Sequence, residues 1–291
     1  MAYFLAIANR KGGVGKSTVS VMLTYAFALW SNKKVLLIDL DAQSNSSLIL
    51  MGGERWIKAQ RTSKNVAAYI EDRLYSIEQT KIYNYIEYEV GDIEVSPGNL
   101  PDISILPGSL NFEDLQDELI TYYSRNQTPF RQAKTKCSEH FRAALSFANS
   151  FSDIVILDCA PGISNATAAA LKLANKIIVP FRPDAVSQFA VDRISRIIEG
   201  GKKFEEVLSI PANRRRYVCL ANYVRKNRRD GLYIDNIAVD HPILKSFIPA
   251  MPAVSDAFDF LGEPQNMEEK YGEALRPLRA LHQELLAVLP F

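Results

Sequence analysis

Short apolar runs that halt at a polar or turn-forming residue recur along this chain and set its expected architecture. Tyr3 to Ala8 is such a run, stopped by Asn9 and a glycine-rich turn, after which Val19, Met22, Leu23, Ala26 and Leu29 recur at helical spacing. The opening therefore reads strand, loop, helix. Val35 to Ile38 ends in Asp39, and Ile154 to Leu157 repeats that design and ends in Asp158. Ile177 to Val179 runs into Pro180, and Tyr217 to Ala221 into Asn222. Buried strands alternating with helical stretches predict an α/β fold, a mostly parallel, doubly wound sheet with helices on both faces.

The middle of the chain, about 52–150, is patterned less cleanly. It offers a helical piece near Val66 to Leu74, a charged and tyrosine-rich stretch, and a strand at Ile103 to Leu106. The turn Pro107-Gly108-Ser109, a helix over Phe112 to Tyr122 and another over Ser138 to Asn149 follow, with no linker. One domain over 1–291 with an elaborated middle is expected. Near the end, Leu275, Leu278, Leu281, Leu285 and Leu289 line one helical face. A closing helix packed on the sheet is the expectation; a membrane-binding tail is disfavoured because this helix lacks a dense basic face.

Composition narrows the class. The 291 residues are 47% hydrophobic and 23% charged, enough for one large soluble domain. Cys137, Cys159 and Cys219 are odd in number and scattered, which predicts neither a disulfide framework nor a thiolate metal site. The start shows no basic leader, and no apolar run approaches the ~20 residues of a membrane span. A cytoplasmic protein is expected. Charge is uneven: between Lys202 and Arg229 nine Lys or Arg face two glutamates, a formal +7 in a chain of net +1, which leaves −6 elsewhere.

The turn after the first strand carries the chemistry. A polyphosphate needs N–H donors at close range followed by a helix N-terminus, and Gly12, Gly13 and Gly15 permit that approach. Gly15-Lys16-Ser17 supplies the end of the P-loop pattern, with Lys16 on the β- and γ-phosphates and the Ser17 hydroxyl on magnesium. The first glycine of the general pattern falls on Arg10; the spelling Lys11-Gly12-Gly13 stands in its place. ATP and Mg²⁺ are the implied cofactors of a P-loop NTPase. Asp158 sits where a Walker B carboxylate holds magnesium through a water. Asp39 and Asp41 end another buried strand at the edge where open α/β sheets bind ligands. Solvated strand caps are the alternative reading of these carboxylates.

Lys11-Gly12-Gly13-Val14-Gly15-Lys16-Ser17-Thr18, Ile38-Asp39-Leu40-Asp41-Ala42-Gln43 and Leu157-Asp158-Cys159-Ala160-Pro161-Gly162 together resemble the ParA/MinD family of deviant Walker A ATPases. Looser likenesses continue at Ile177-Ile178-Val179-Pro180 with Ser187, and at Ile248-Pro249 into Ser255-Asp256-Ala257. Ala42 and Cys159-Ala160 depart from the prolines or threonine often found there. The resemblance implies an ATP-dependent homodimer in which Lys11 reaches the phosphates held by the other copy. It makes Asp41 the residue that orients or activates the attacking water. Asp39 then couples the magnesium shell to the switch region, as a metal-side residue with Ser17 and Asp158. Gly12 through Thr18 contact the nucleotide, and Asn222 resembles the adenine-contacting asparagine, with a turn-capping role as the alternative.

The family resemblance further implies slow ATP hydrolysis stimulated by a separate partner protein, with the ATP dimer held on nucleoid DNA. Arg214, Arg215 and Arg216 precede one expected strand and Arg225, Lys226, Arg228 and Arg229 follow it. Loops at both ends are expected to place these cations on a common rim for sequence-independent duplex DNA, a solvated charged face being the alternative. Aromatic residues are too sparse there to favour single-strand stacking. A ParA-type positioning ATPase for plasmid, chromosome or other cargo is the leading expectation. A MinD-like membrane-cycling ATPase comes second. An electron-transfer relative of the nitrogenase iron protein is disfavoured by the scattered cysteines.

Overall fold

In the computed structural model the described residues are 1–76, 80–125, 128–257, 259–260, 263 and 265–289. The chain opens with β1 (Tyr3–Ile7), α1 (Lys16–Trp30), β2 (Val35–Leu40), α2 (Asn45–Arg61) and α3 (Val66–Tyr75). The middle adds β3 (Glu87–Tyr88), β4 (Ile103–Leu106), α4 (Phe112–Tyr123) and α5 (Phe130–Ser146). Then come β5 (Ile154–Cys159), α6 (Asn165–Leu173), β6 (Lys176–Phe181), α7 (Ser187–Glu199) and α8 (Phe204–Leu208). The chain closes with β7 (Tyr217–Val224), α9 (Arg228–Asp240), β8 (Ile248–Pro249), α10 (Pro252–Asp256), α11 (Met267–Tyr271) and α12 (Leu275–Val288).

The strands form one sheet in the order β3-β4-β2-β5-β1-β6-β7-β8. All neighbours are parallel except β3, which pairs antiparallel with β4. Alternation along each strand divides the core in two. Phe4, Ala6, Leu36, Ile38, Val155 and Leu157 face the layer that holds α3 to α9. Leu5, Ile7, Val35, Leu37, Ile154 and Ile156 face α1, the start of α2 and α10 to α12. Both faces are covered, as the continuous apolar runs require. Parity also decides where the strand-end carboxylates go. Asp39 and Asp158, two positions beyond Leu37 and Ile156, point to the α1 side and are register partners on adjacent strands.

The middle region joins the same sheet through β3 and β4. Its helix before β5 starts earlier than expected, at Phe130, and ends in a short 3-10 turn over Phe147–Ser150. The closing helix buries Leu278, Leu281, Leu285 and Leu289 in the core shared with α1. A buried ion pair, Lys270 Nζ to Asp92 Oδ2 at 2.6 Å, ties this C-terminal layer to the middle region. Tyr25 of α1 adds a hydrogen bond to the other Asp92 oxygen at 2.9 Å.

Candidate nucleotide site

The turn after β1 is held from both sides before any ligand is considered. Asn9 donates from Nδ2 to the Pro180 carbonyl at 2.8 Å, and its Oδ1 accepts the Lys11 N–H at 3.1 Å. From β7, Asn222 donates through Nδ2 to the Val14 carbonyl at 2.8 Å. The chain enters α1 through Gly15 at φ +83°, a left-handed conformation that disfavours side chains. A Cβ there would stand 2.1 Å from Asn222 Nδ2. Gly15→Ala is therefore expected to cost about 1–3 kcal/mol of stability and to weaken nucleotide binding. Chemical denaturation followed by nucleotide titration checks this; an unchanged midpoint with unchanged affinity contradicts it.

Beyond the turn, Gly13, Lys16, Ser17, Thr18, Asp41 and Pro161 are among the residues around a cleft of ≈ 580 Å³. Lys16 is 6% exposed. Burial pulls its ammonium below the usual range, while Asp158 and Asp41 draw it back up. Asp158 lies beneath, fully buried, its Oδ1 accepting the Ser20 hydroxyl at 3.0 Å. Its Oδ2 is buried without a hydrogen-bond partner, and so is the Ser46 hydroxyl.

Asp39 and Asp158 are fully buried acids on adjacent strands. Burial pushes both carboxyls upward, and the Asp158 charge raises Asp39 further. A divalent cation over this pair would relieve an orphaned carboxylate oxygen and the mutual repulsion together, so the donor set fits magnesium. Ser17, in the lining of the cleft, and the buried Asp158 are placed to hold it. Among the described residues no group of three or more His, Cys, Asp or Glu is arranged to bind a metal.

The two acidic residues at the end of β2 are placed differently. Asp39 is fully buried, and both its oxygens are taken by protein donors. Oδ1 accepts the Asp41 N–H at 3.1 Å, and Oδ2 accepts the Ser47 N–H at 3.0 Å and hydroxyl at 2.6 Å. Ser47 Oγ in turn accepts the Gly108 N–H at 2.9 Å, which joins β2, α2 and the turn after β4 in one network. Asp41 instead borders the cleft, its Oδ1 fixed by the Gln43 N–H at 3.0 Å. A direct Asp39–metal bond would compete with three existing hydrogen bonds, so its geometry suits positioning.

Lys11 stands outside the cleft, and its ammonium is ion-paired with Asp184 in the turn between β6 and α7. Asn222 also sits outside, with Nδ2 on Val14 and Oδ1 accepting the Tyr223 N–H at 2.9 Å. Its direct contacts are to the phosphate-loop backbone and to its own strand end.

The expected common rim of cations does not form. Arg214–Arg216 precede β7 and Arg225–Arg229 follow it, at opposite edges of the sheet. Arg215 is buried and donates to the carbonyls of Ile210, Leu208 and Asp240. Arg216 donates to the carbonyls of Leu171, Ala174 and Ile198, groups that helix ends leave without intrahelical donors. Arg225 is bound to the buried Asp230. Lys226, Arg228 and Arg229 are exposed at the start of α9, on the nucleotide edge, and Arg214 is exposed at the other.

Sequence reasoning missed Asn9, Ser20, Ser47 and Asp184. Asn9 and Asp184 follow β1 and β6 at the same edge as the recognised carboxylates, so the strand-end rule already pointed at them.

This arrangement has known counterparts. The family model described as AAA domain matches residues 2–210. Over 198 residues the chain is 29% identical to the chromosome partitioning protein ParA of Caulobacter vibrioides, covering 67% of this chain and 61% of that one. It is 26% identical over 198 residues to the sporulation initiation inhibitor protein Soj of Bacillus subtilis, covering 68% and 64%. The match thus spans less than two thirds of either relative's length. A variant McdA–ATP complex from Cyanothece shares the fold with a TM-score of 0.70 at 16% identity, over 100% of this chain and 98% of that one. With its P-loop, strand-end carboxylates and sheet order in place, the chain belongs to the ParA/MinD family of P-loop ATPases.

Proposed function

We propose that this protein is a ParA-type positioning ATPase working with plasmid, chromosome or other cargo. It binds Mg–ATP, dimerises around it and holds non-specific duplex DNA in that state. It leaves DNA, and so the nucleoid, when a separate partner protein stimulates its slow hydrolysis to ADP and phosphate. The observation that carries this reading is the meeting of Lys16, Ser17 and Asp41 at one cleft over the buried, under-bonded Asp158. Magnesium bound there would draw charge from the β- and γ-phosphates.

Each residue of the chain then has a separate task. Lys16 binds and orients the phosphates, and Ser17 with Asp158 holds the ion. Gly12 through Gly15 present backbone N–H groups to the phosphates. Asp41 takes or orients the proton of the attacking water. Asp39 transmits the state of this corner through Ser47 to α2 and the Pro107-Gly108 turn. Lys11 supplies fixed positive charge to the phosphates of the facing copy. Asn222 serves the nucleotide through the loop it braces.

DNA is the favoured surface partner. A membrane-cycling ATPase needs an apolar helix face free for lipid, whereas α12 packs Leu278, Leu281, Leu285 and Leu289 inward. Among the described residues no helix is long and apolar enough to cross a membrane. The DNA contact is assigned to Lys226, Arg228 and Arg229. Their joint replacement by Glu is expected to abolish ATP-dependent duplex retention. Neutralising the three is expected to flatten the salt dependence, log K against log[salt], by about 2 to 3. Arg214→Glu should change neither. Filter binding with ATP and ADP across a salt series decides it; equal loss from Arg214→Glu returns these cations to a solvated face.

A further inference from the structure

Lys11 is paired with a carboxylate that is itself held in place. Asp184 Oδ1 accepts the Val186 N–H at 3.1 Å and the Ser187 hydroxyl at 2.9 Å, while Oδ2 takes the Lys11 ammonium. Burial alone would raise the Asp184 carboxyl, but the bonds from Lys11 and Ser187 outweigh it and leave it below the usual range. The Lys11 backbone is fixed at the same corner by Asn9. Beside the pair, Val186 and Phe189 are 56% and 73% exposed, two large apolar side chains open to solvent next to a charged couple. A corner of this kind suits closure against another protein surface.

We propose that Asp184 restrains Lys11: it holds the ammonium in the single chain and yields it to the second copy's phosphates when ATP brings two chains together. This rests on the reading of Lys11 as a residue that acts across a dimer.

The direction of the effect follows from charge. The Lys11 and Asp184 side chains are 30% and 38% exposed, so their pair belongs to the weak, solvent-screened class. A triphosphate offers the same ammonium several negative charges and geometrically open oxygens, and it wins the competition. While Asp184 is charged, however, dimerisation gives up part of this pair and brings a carboxylate toward the incoming phosphates. Removing the charge should therefore favour the dimer.

Asp184→Asn keeps an oxygen to accept from Val186 and Ser187 and removes only the charge. The expected result is an ATP-analogue dimer half-formed at about three- to fivefold lower protein concentration, the scale of a screened ion pair. Asp184→Ser, which also leaves a capping oxygen, is expected to shift it in the same direction. Sedimentation velocity with Mg and AMP-PNP, on the parent, both Asp184 variants, Lys11→Ala and the Lys11→Ala/Asp184→Asn double variant, reads all of this. Normal dimers from Lys11→Ala would defeat the cross-dimer reading itself. If Lys11→Ala loses its dimers but the Asp184 variants dimerise at the parent concentration or higher, the assignment of Asp184 falls and that reading stands. Dimers regained by the Lys11→Ala/Asp184→Asn double variant also overturn it, because the gain then comes from surface charge and not from freeing Lys11.

Discussion

Lys16→Ala is expected to abolish nucleotide binding, with Kd for Mg–ATP rising on the order of 10²–10⁴-fold. Two effects combine. The ammonium is the cation buried beside the phosphate path, and losing a buried, paired charge costs about 3–5 kcal/mol. Its removal also leaves Asp158, already pushed upward by burial, without the lysine that favours its charged form. Phosphates would then approach uncompensated carboxylates. Lys16→Arg is not a rescue, since a planar guanidinium does not occupy the space of a compact ammonium with 6% exposure. Isothermal titration with Mg–ATP on a variant of parental thermal stability is the check. Affinity within tenfold of the parent removes Lys16 from its assigned place.

Periodicity made the scaffold of this site legible, because the site is built from strand ends. Apolar runs closing on Asp39, Asp158 and Asn222 mark the edge where β2, β5 and β7 deliver their last residues. Helical spacing likewise marked α1 and α12. Local pattern carries no information about which distant groups satisfy one another. Asn222 and Val14 are 208 positions apart, and Lys11 and Asp184 are 173 apart.

The arginines show the same limit more sharply. In sequence, Arg214, Arg215 and Arg216 are equivalent cations. In the fold, Arg215 and Arg216 are drawn inward by unpaired carbonyls that belong to other helices. The two-residue β3 and the polar first turns of α5 were also faint. An edge strand needs little apolar sequence, and of the residues α5 buries, Ala133, Cys137, Ser138 and Ala144 are small or polar.

Asp39 and Asp41, identical in chemistry and two residues apart, are expected to fail in different ways. Asp41→Ala should bind Mg–ATP within a few-fold of the parent but lose about 10²-fold or more of its ATP turnover, the usual share of a positioned acid–base group. On the proposed cycle, the ATP dimer would then persist on DNA. Asp41→Asn isolates the proton-accepting function, because an amide oxygen still accepts from the Gln43 N–H that fixes the side chain. Asp39→Ala removes the acceptor of three hydrogen bonds, two of them from Ser47, whose hydroxyl oxygen in turn accepts the Gly108 N–H. It is expected to lose stability as well as turnover, since Ser47 would be left buried with an unmet donor. Single-turnover hydrolysis beside chemical denaturation separates the two. Parental turnover in Asp41→Asn would remove Asp41 from the chemistry. A stable Asp39→Ala with parental nucleotide affinity would show that its network does not govern the corner on which Asp41 stands.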